Sequence, residues 1–410
     1  MPRRRLKKYI RKCCCMVFIV LVIFLFYVGY MFQSGRCSTD ISLHKISDIC
    51  ERYRRGEIAG SFCQPLCEDK TLHFIKCVNY RDGKTVMFMT CDKCISEETF
   101  EIVFKMKWNF DAERLLYVPY IEDETYKQFI ENAESLVKDS LKLSHYPFSD
   151  GEDILSFAWN WDFNKFVKNQ KSKLEASKIA VDSVLSLISQ SEYAMSKMLY
   201  NYTFIPKIYG SCGPAYFVEK TPTLSQYEFE FFKSFSYERW KERARVAVRL
   251  IELMEKLRTF KQDLHLCDMK LDNFGIRNNG EITLIDTDSC FFNNGLMEQF
   301  KYSDCTKHSD CDFFDCRGLC DVTSSKCFIK RSNNNMQALC EDAFIGYTPK
   351  LPSGLLRDPP GEIKVQLFQL LQECSFPTSG EYVRHTSRDY AIDKTVNELR
   401  ELLYQSLYEQ

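Results

Sequence analysis

Asp268, Lys270, Asn273 and Asp286 fall close together in the chain, and they are the residue types that phosphoryl transfer from a nucleoside triphosphate requires. One carboxylate must accept or orient the proton of the attacking hydroxyl. An oxygen ligand and a second carboxylate must hold a divalent cation on the phosphates, and a lysine must offset the growing negative charge. Asp268 suits the first task, Asn273 and Asp286 the second, and Lys270 the third. Asp268 and Asn273 share the stretch His265-Leu266-Cys267-Asp268-Met269-Lys270-Leu271-Asp272-Asn273, and Asp286 ends the strand-like run Glu281–Asp286, thirteen residues after Asn273.

Elements upstream must position these groups. Thr71–Thr90 reads as short strands around the turn Arg81-Asp82-Gly83-Lys84, and Glu101–Lys105 as a further strand. Residues 111–171 are polar, with aromatic patches such as Trp159 and Trp161, and carry no assignable pattern. From Lys173 to Tyr200 the pattern is helical, with Val181, Leu185, Ile188, Met195 and Leu199 on one face. Glu192 lies on that same apolar stripe, where an unpaired charge is costly and calls for a partner. Phe204–Tyr209 and Ala215–Glu219 read as two strands, and Lys241–Lys261 as an amphipathic helix leading into the polar loop.

This order resembles the protein kinase superfamily. Its catalytic loop reads H-R-D-L-x-x-x-N, with a metal-binding aspartate ending a later strand. Asp268, Lys270 and Asn273 match D-L-K-P-E-N at Asp, Lys and Asn, and Ile102-Val103-Phe104-Lys105 matches the V-A-I-K strand. The resemblance implies that Lys105 binds phosphates, that Glu192 is its ion-pair partner, and that Phe217-Val218-Glu219 forms the hinge for adenine. His265–Asp268, Ile285–Asp288 and Cys311–Cys316 are especially similar to the divergent protein kinase domain proteins of the secretory pathway, subfamily one. That likeness covers nearly the whole chain. It implies an α+β, two-lobed protein-kinase-like fold with an N-terminal transmembrane helix and disulfide-rich insertions. ATP with Mg²⁺ or Mn²⁺ is the implied cofactor, and a lumenal protein or glycan hydroxyl the implied acceptor. The implied residence is the endoplasmic reticulum membrane, with the Golgi as a second address.

The departures leave alternatives open. Around Asn79–Lys84 only Gly83 stands where G-x-G-x-x-G is expected, and Cys267 replaces the catalytic-loop arginine that receives a phosphorylated activation loop. Asp286-Thr287-Asp288 replaces D-F-G, and Asp288 is either a further metal ligand or a solvated charge. No A-P-E motif is present. Asp150-Gly151-Glu152-Asp153 lacks the EF-hand pattern, so no calcium site is expected there. A pseudokinase that keeps Asp268, Asn273 and Asp286 for structure, and serves as a lumenal binding or scaffold protein, is the alternative reading. An ordinary ion pair is the alternative for Lys105 and Glu192, and a packed core histidine is expected at His265.

Composition agrees with a folded lumenal protein. The 410 residues are 45% apolar and carry a net charge of −1, so a sizeable core can form and no field points to nucleic acid. Seven of the first twelve residues are Lys or Arg, and the uncharged run Cys13–Phe32 is long enough to span a bilayer. By the positive-inside rule residues 1–12 are cytoplasmic, 13–32 a signal anchor in contact with lipid, and the remainder lumenal. Residues 33–100 form a cysteine-rich region and the start of an N-lobe, 101–220 the N-lobe with an insert, and 221–410 a C-lobe with a cysteine-rich segment at 305–340. Of twenty cysteines, seventeen follow the anchor; that load suits an oxidising compartment, and the odd number leaves at least one thiol free or paired with another chain. A disulfide knot is expected for the later cluster, and zinc is not, because paired C-x₂-C spacing is missing. Cys91 and Cys94 form one C-x-x-C pair, for which bridges to other cysteines are expected in preference to a redox role. Asn201-Tyr202-Thr203 is a glycosylation sequon.

Overall fold

The computed structural model describes residues 38–79, 84–107, 125–141, 153–227, 236–259, 263–301, 303–346, 354–376 and 389–408. They form a mixed α+β protein that divides into two units. The first contains residues 1–190 and 208–219, the second 191–207 and 220–410.

The first unit is built on a five-stranded sheet in the order β1-β2-β3-β5-β4: β1 Leu72–Asn79, β2 Lys84–Asp92, β3 Thr99–Lys107, β4 Ile208–Cys212 and β5 Ala215–Glu219. All its pairings are antiparallel. In β2 the residues Thr85, Met87, Met89 and Cys91 are buried and alternate with half-buried ones, the two-residue period of a strand packed on one face. β3 lies mid-sheet and is buried without a break from Ile102 to Met106, as a strand covered on both faces must be. Met87, Met89, Ile102, Phe104 and Phe217 form the core, with the Phe62 ring 4.9 Å from that of Phe217. Each such side chain contributes about 1.5–3 kcal/mol on burial. The disulfides Cys50–Cys67 and Cys63–Cys212 fasten the N-terminal helices to one another and to β4. Helices Tyr126–Ser140, Ile154–Trp159, Phe163–Lys168 and Lys173–Ile188 complete this unit.

The second unit is mostly helical. Helix Tyr237–Arg258 buries Trp240, Leu250, Ile251 and Met254 and packs along helix Asp389–Tyr408, which in turn packs on helix Lys364–Ser375. Trp240 Nε1 donates to Ser406 Oγ at 3.1 Å, and Arg400 grips Glu255 with bonds of 2.9 and 3.1 Å. Two short antiparallel strand pairs follow the long helix: β6 Leu264–Leu266 with β9 Cys290–Phe292, and between them the hairpin of β7 Phe274–Ile276 with β8 Ile282–Leu284. Gly275 is required in β7, since a Cβ there would sit 2.2 Å from Thr221 Oγ1.

Several details correct or extend the sequence reading. The helical run expected over Lys173–Tyr200 is two helices, Lys173–Ile188 and Ser191–Met198, assigned to different units. The strand expected at Phe204–Tyr209 forms instead at Ile208–Cys212, because Gly210, Ser211 and Cys212 pair with Phe217, Tyr216 and Ala215 of β5. Cys91 and Cys94 bond to each other, their Cα atoms 5.6 Å apart across the end of β2, and not to other cysteines. The later cluster is disulfide-bonded, but only partly to itself: Cys305–Cys320 and Cys311–Cys327 close within it, while Cys316 bonds to Cys267 and Cys340 to Cys374 outside it. The sulfurs of Cys305, Cys311 and Cys320 lie within 4.8 Å of one another, but each belongs to a disulfide. Among the described residues Cys290 is the free cysteine, and it is buried. No helix among them is long and apolar enough to cross a membrane; the anchor expected at 13–32 lies outside the described residues. Residues 80–83 of the expected phosphate-covering turn and 150–152 of the acidic stretch also lie outside them. Asp153 caps the helix that follows, accepting from Leu155 N and Ser156 N.

Candidate functional site

The second unit holds the polar loop, and side chains from distant parts of that unit fix its path. Strand β6 enters it, and the 3₁₀ turn Leu271–Asn273 hands it on to β7. Asn335 accepts from Leu266 N at 3.0 Å and donates to Leu264 O at 2.8 Å. Asp315 then takes both peptide groups that flank Asp268: its N–H donates to Cys267 O at 2.9 Å, and its carboxylate accepts from Met269 N. Asn333 Nδ2 in turn donates to Asp315 O at 2.8 Å. Cys267 is covalently tied to the neighbouring Cys316. A bond thus holds the loop at the position where a kinase carries arginine.

Within that frame the predicted polar groups meet. The Asp268 carboxylate accepts from Lys270 Nζ and from Asn273 Nδ2, the latter at 2.8 Å, and Asn273 Nδ2 also reaches Asp268 O at 2.9 Å. Asn273 is buried, and the amide leaves its Oδ1 as a potential cation ligand. Burial works against the Lys270 ammonium, but the hydrogen bond and charge of Asp268, with Asp286 and Asp272 behind it, win and hold its pKa above the ordinary lysine value. Asp268, Asn273 and Asp286 line one small cleft, whose wall includes Ser289 and Cys290. Burial, then the surrounding acids beginning with Asp286, pushes the Cys290 thiol up, so it stays protonated.

Carboxylate oxygens of Glu192, Asp286 and Asp288 lie within 4.8 Å of one another. Ser191 Oγ donates to Asp288 at 2.9 Å, and Thr287 Oγ1 donates to Glu192 O at 3.4 Å, which joins the start of helix Ser191–Met198 to the Asp286–Asp288 segment. Glu192 is buried, Asp286 partly so and Asp288 exposed. Three hard oxygen donors at this spacing suit Mg²⁺ or Mn²⁺. Asp288 was left open by sequence, and this geometry places it with the acidic group.

The remaining predicted residues are found as follows. Lys105 lies in the first unit, buried on β3 opposite Val86 and Tyr216, and Glu219 ends β5 opposite Ile102. Glu192 belongs to the second unit. Asn201 is exposed in a turn after helix Ser191–Met198. Sequence reasoning missed Asp315 and Asn335. Asp315 lies within Cys311–Cys316, but nothing in one sequence marks a carboxylate as the acceptor for a backbone amide forty-six residues away.

Two family models match this chain. One, described as the protein-kinase domain of FAM69, matches residues 184–377. The other, described as the N-terminal cysteine-rich ER region of FAM69, matches residues 4–148. The chain belongs to the FAM69 family of divergent kinase-like proteins.

Proposed function

We propose that this FAM69-family chain is a lumenal phosphotransferase that moves phosphate from ATP to a protein or glycan hydroxyl. The observation that carries this reading is the pair of hydrogen bonds at Asp268, whose carboxylate is held by Lys270 and Asn273 beside Asp286 in one cleft. Both bonds go to Oδ2, which leaves Oδ1 to take the proton of an acceptor hydroxyl. Lys270, with its pKa held up, stays cationic and offsets charge on the transferred group. Asn273 and the acids Asp286, Asp288 and Glu192 are the groups that would hold Mg²⁺ or Mn²⁺; when bound, ATP and its cation supply the phosphoryl group and neutralise its charge. Lys105 is assigned to the phosphates and Glu219 to the adenine end.

The segment 13–32 is proposed as the anchor, with the N-terminus cytoplasmic and the bulk of the chain lumenal. The disulfides and the ER description of the N-terminal match support the endoplasmic reticulum as its home. Asn201 is proposed as a glycan site, being exposed within its sequon.

The test is transfer from ATP by the purified full chain with Mn²⁺ or Mg²⁺, to added hydroxyl acceptors or to water. Asp268→Ala should lower turnover roughly 10²–10⁴-fold, as loss of a general base does. Equal turnover in both proteins overturns the assignment. A second reading, a pseudokinase that binds partners, is favoured by the disulfide at Cys267 in place of the arginine that serves activation. It predicts no turnover. Thermal stabilisation by ATP and metal that Asp286→Ala abolishes, without turnover in the parent, would select a nucleotide-binding form of that reading.

A further inference from the structure

The second unit contains a cavity of about 400 Å³ that the catalytic cleft does not use. That volume falls among small-molecule sites, which run about 300–1,000 Å³. Its wall is partly apolar, with Leu257, Met297, Ile329 and Met336, and partly polar, with His265 and Arg331. Arg331 is only 8% exposed. Its Nε donates to Asn333 Oδ1 at 2.9 Å, and its Nη1 donates to Asn335 Oδ1 at 2.7 Å and faces His265 Nδ1 at 3.3 Å. All three acceptors are neutral, and Nη2 has none. Burial pulls this guanidinium down to about 9; Asp315 opposes that through space, and Arg317 adds to it. A buried cation without a hydrogen-bonded counter-ion is costly.

His265 shows the same deficit. Because Nδ1 accepts from the guanidinium, Nε2 carries the ring proton. Nε2 is buried without a partner. Burial, then Arg331, holds the ring near 4; the Asn293 amide and Asp263 raise it slightly, and no hydrogen bond of good geometry from Nε2 to Asn293 is completed. Two unmet donors therefore lie within residues that line the cavity. The other charges nearby do not answer them: Glu255 is gripped by Arg400, while Arg258, Asp263 and Lys330 are exposed.

We propose that this cavity binds a small monoanionic amphiphile, a carboxylate or phosphate ester on a short apolar body. The head would satisfy Arg331 and His265, and the body would lie along Met297, Leu257 and Met336. His265 belongs to β6, three residues before Asp268, so an occupant would also brace the polar loop from a second site. The proposal stands apart from the kinase reading.

The test uses the full chain in lipid nanodiscs, with empty nanodiscs as blanks, and four water-soluble probes sharing one body: phenylbutyrate, phenylbutyl phosphate, phenylbutanol and phenylbutylammonium. Thermal shift and titration calorimetry should show saturable binding of an anionic probe, with the alcohol roughly tenfold weaker or more, as loss of a charge-assisted hydrogen bond implies, and the ammonium absent. The better of the two anions identifies the head group. Met297→Trp fills the apolar end and should abolish binding while keeping any ATP–metal shift of the parent. Should that variant fold poorly, Ile329→Trp serves the same purpose. Alcohol binding as tight as the acids, anion binding that survives both tryptophans, or no saturable binding of either anion overturns the proposal.

Discussion

Strand β3 of the first unit and the loop around Asp268 in the second are held in place by different means. β3 pairs residue by residue with β2 from Thr99 to Lys107, and with β5 from Ile102 to Lys105. Its position is spread over many backbone bonds, each worth about 1 kcal/mol net. The strands that flank Asp268 are three residues long and have little ladder to rely on. Asp315, Asn335 and Asn273 hold the loop instead, together with the disulfide Cys267–Cys316. A distributed support tolerates single losses, and a concentrated one does not. Single changes in the second region should therefore be costly and should reach the chemistry, while those in the first should stay local.

The largest expected effect is removal of the Cys267–Cys316 bridge. The double change to alanine opens a loop spanning 49 residues and should cost about 4 kcal/mol in the chain-entropy account. Urea denaturation of wild type and variant measures it. A loss below about 1 kcal/mol would show that the loop's hydrogen bonds suffice without the covalent tie.

Asp315→Ala comes next. It strands the Met269 amide and should cost up to about 3 kcal/mol. The sharper readout is kinetic: under the phosphotransfer proposed above, kcat should fall with the KM for ATP unchanged, because Asp315 is bonded to the two peptide groups that flank Asp268. Asp315→Asn keeps a carbonyl acceptor and should restore part of the rate. Equal falls in the alanine and asparagine variants would mean that the carboxylate acts through its charge alone.

The third effect depends on pH. His265 is held near 4, against 6.5 for a free imidazole. Between those values the unfolded chain binds a proton that the folded one refuses, so stability must fall as pH drops through that window. At about 1.4 kcal/mol per pKa unit, and allowing for partial solvent access, the loss is about 2 kcal/mol. His265→Gln should flatten the pH 6.5-to-4 slope of stability relative to wild type. Parallel slopes would place the acid sensitivity elsewhere.

The same contrast decides what the sequence made legible. The strand that carries Lys105 could be placed because it advertises itself as an apolar run before a lysine, next to a strand of two-residue period. Asp268, Asn273 and Asp286 could be singled out as one polar group because they crowd one loop and the end of the next strand, and they do line one cleft. The break after Ile188 was hidden, since Met195 and Leu199 keep the helical period across it while the chain turns at Ser189 and Gln190. Asp315 and Asn335 were hidden for another reason. Side-chain bonds to distant backbone leave no periodic trace, and an Asp or Asn in a polar stretch looks the same whether it clamps a loop or faces water. The disulfide partners were equally invisible, because cysteine number limits pairings without choosing among them.

The smallest expected effect tests the tolerant region. Helix Tyr126–Ser140 in the first unit begins with a capping box: Thr125 Oγ1 accepts from Gln128 N at 3.3 Å, and Gln128 Oε1 accepts from Thr125 N at 3.0 Å. Each of these satisfies an amide that the helix cannot pair internally. Thr125→Ala removes one of them at an exposed position, where water can replace it, so stability should drop by about 1 kcal/mol. The helix also buries Phe129, Ala133 and Val137, and that packing keeps it in place without the cap. Hydrogen exchange should therefore quicken in its first turn alone, with the β3 amides unchanged. Faster exchange spreading into β3 would show that the sheet region shares the concentrated support of the loop, and the contrast between the two regions would fail.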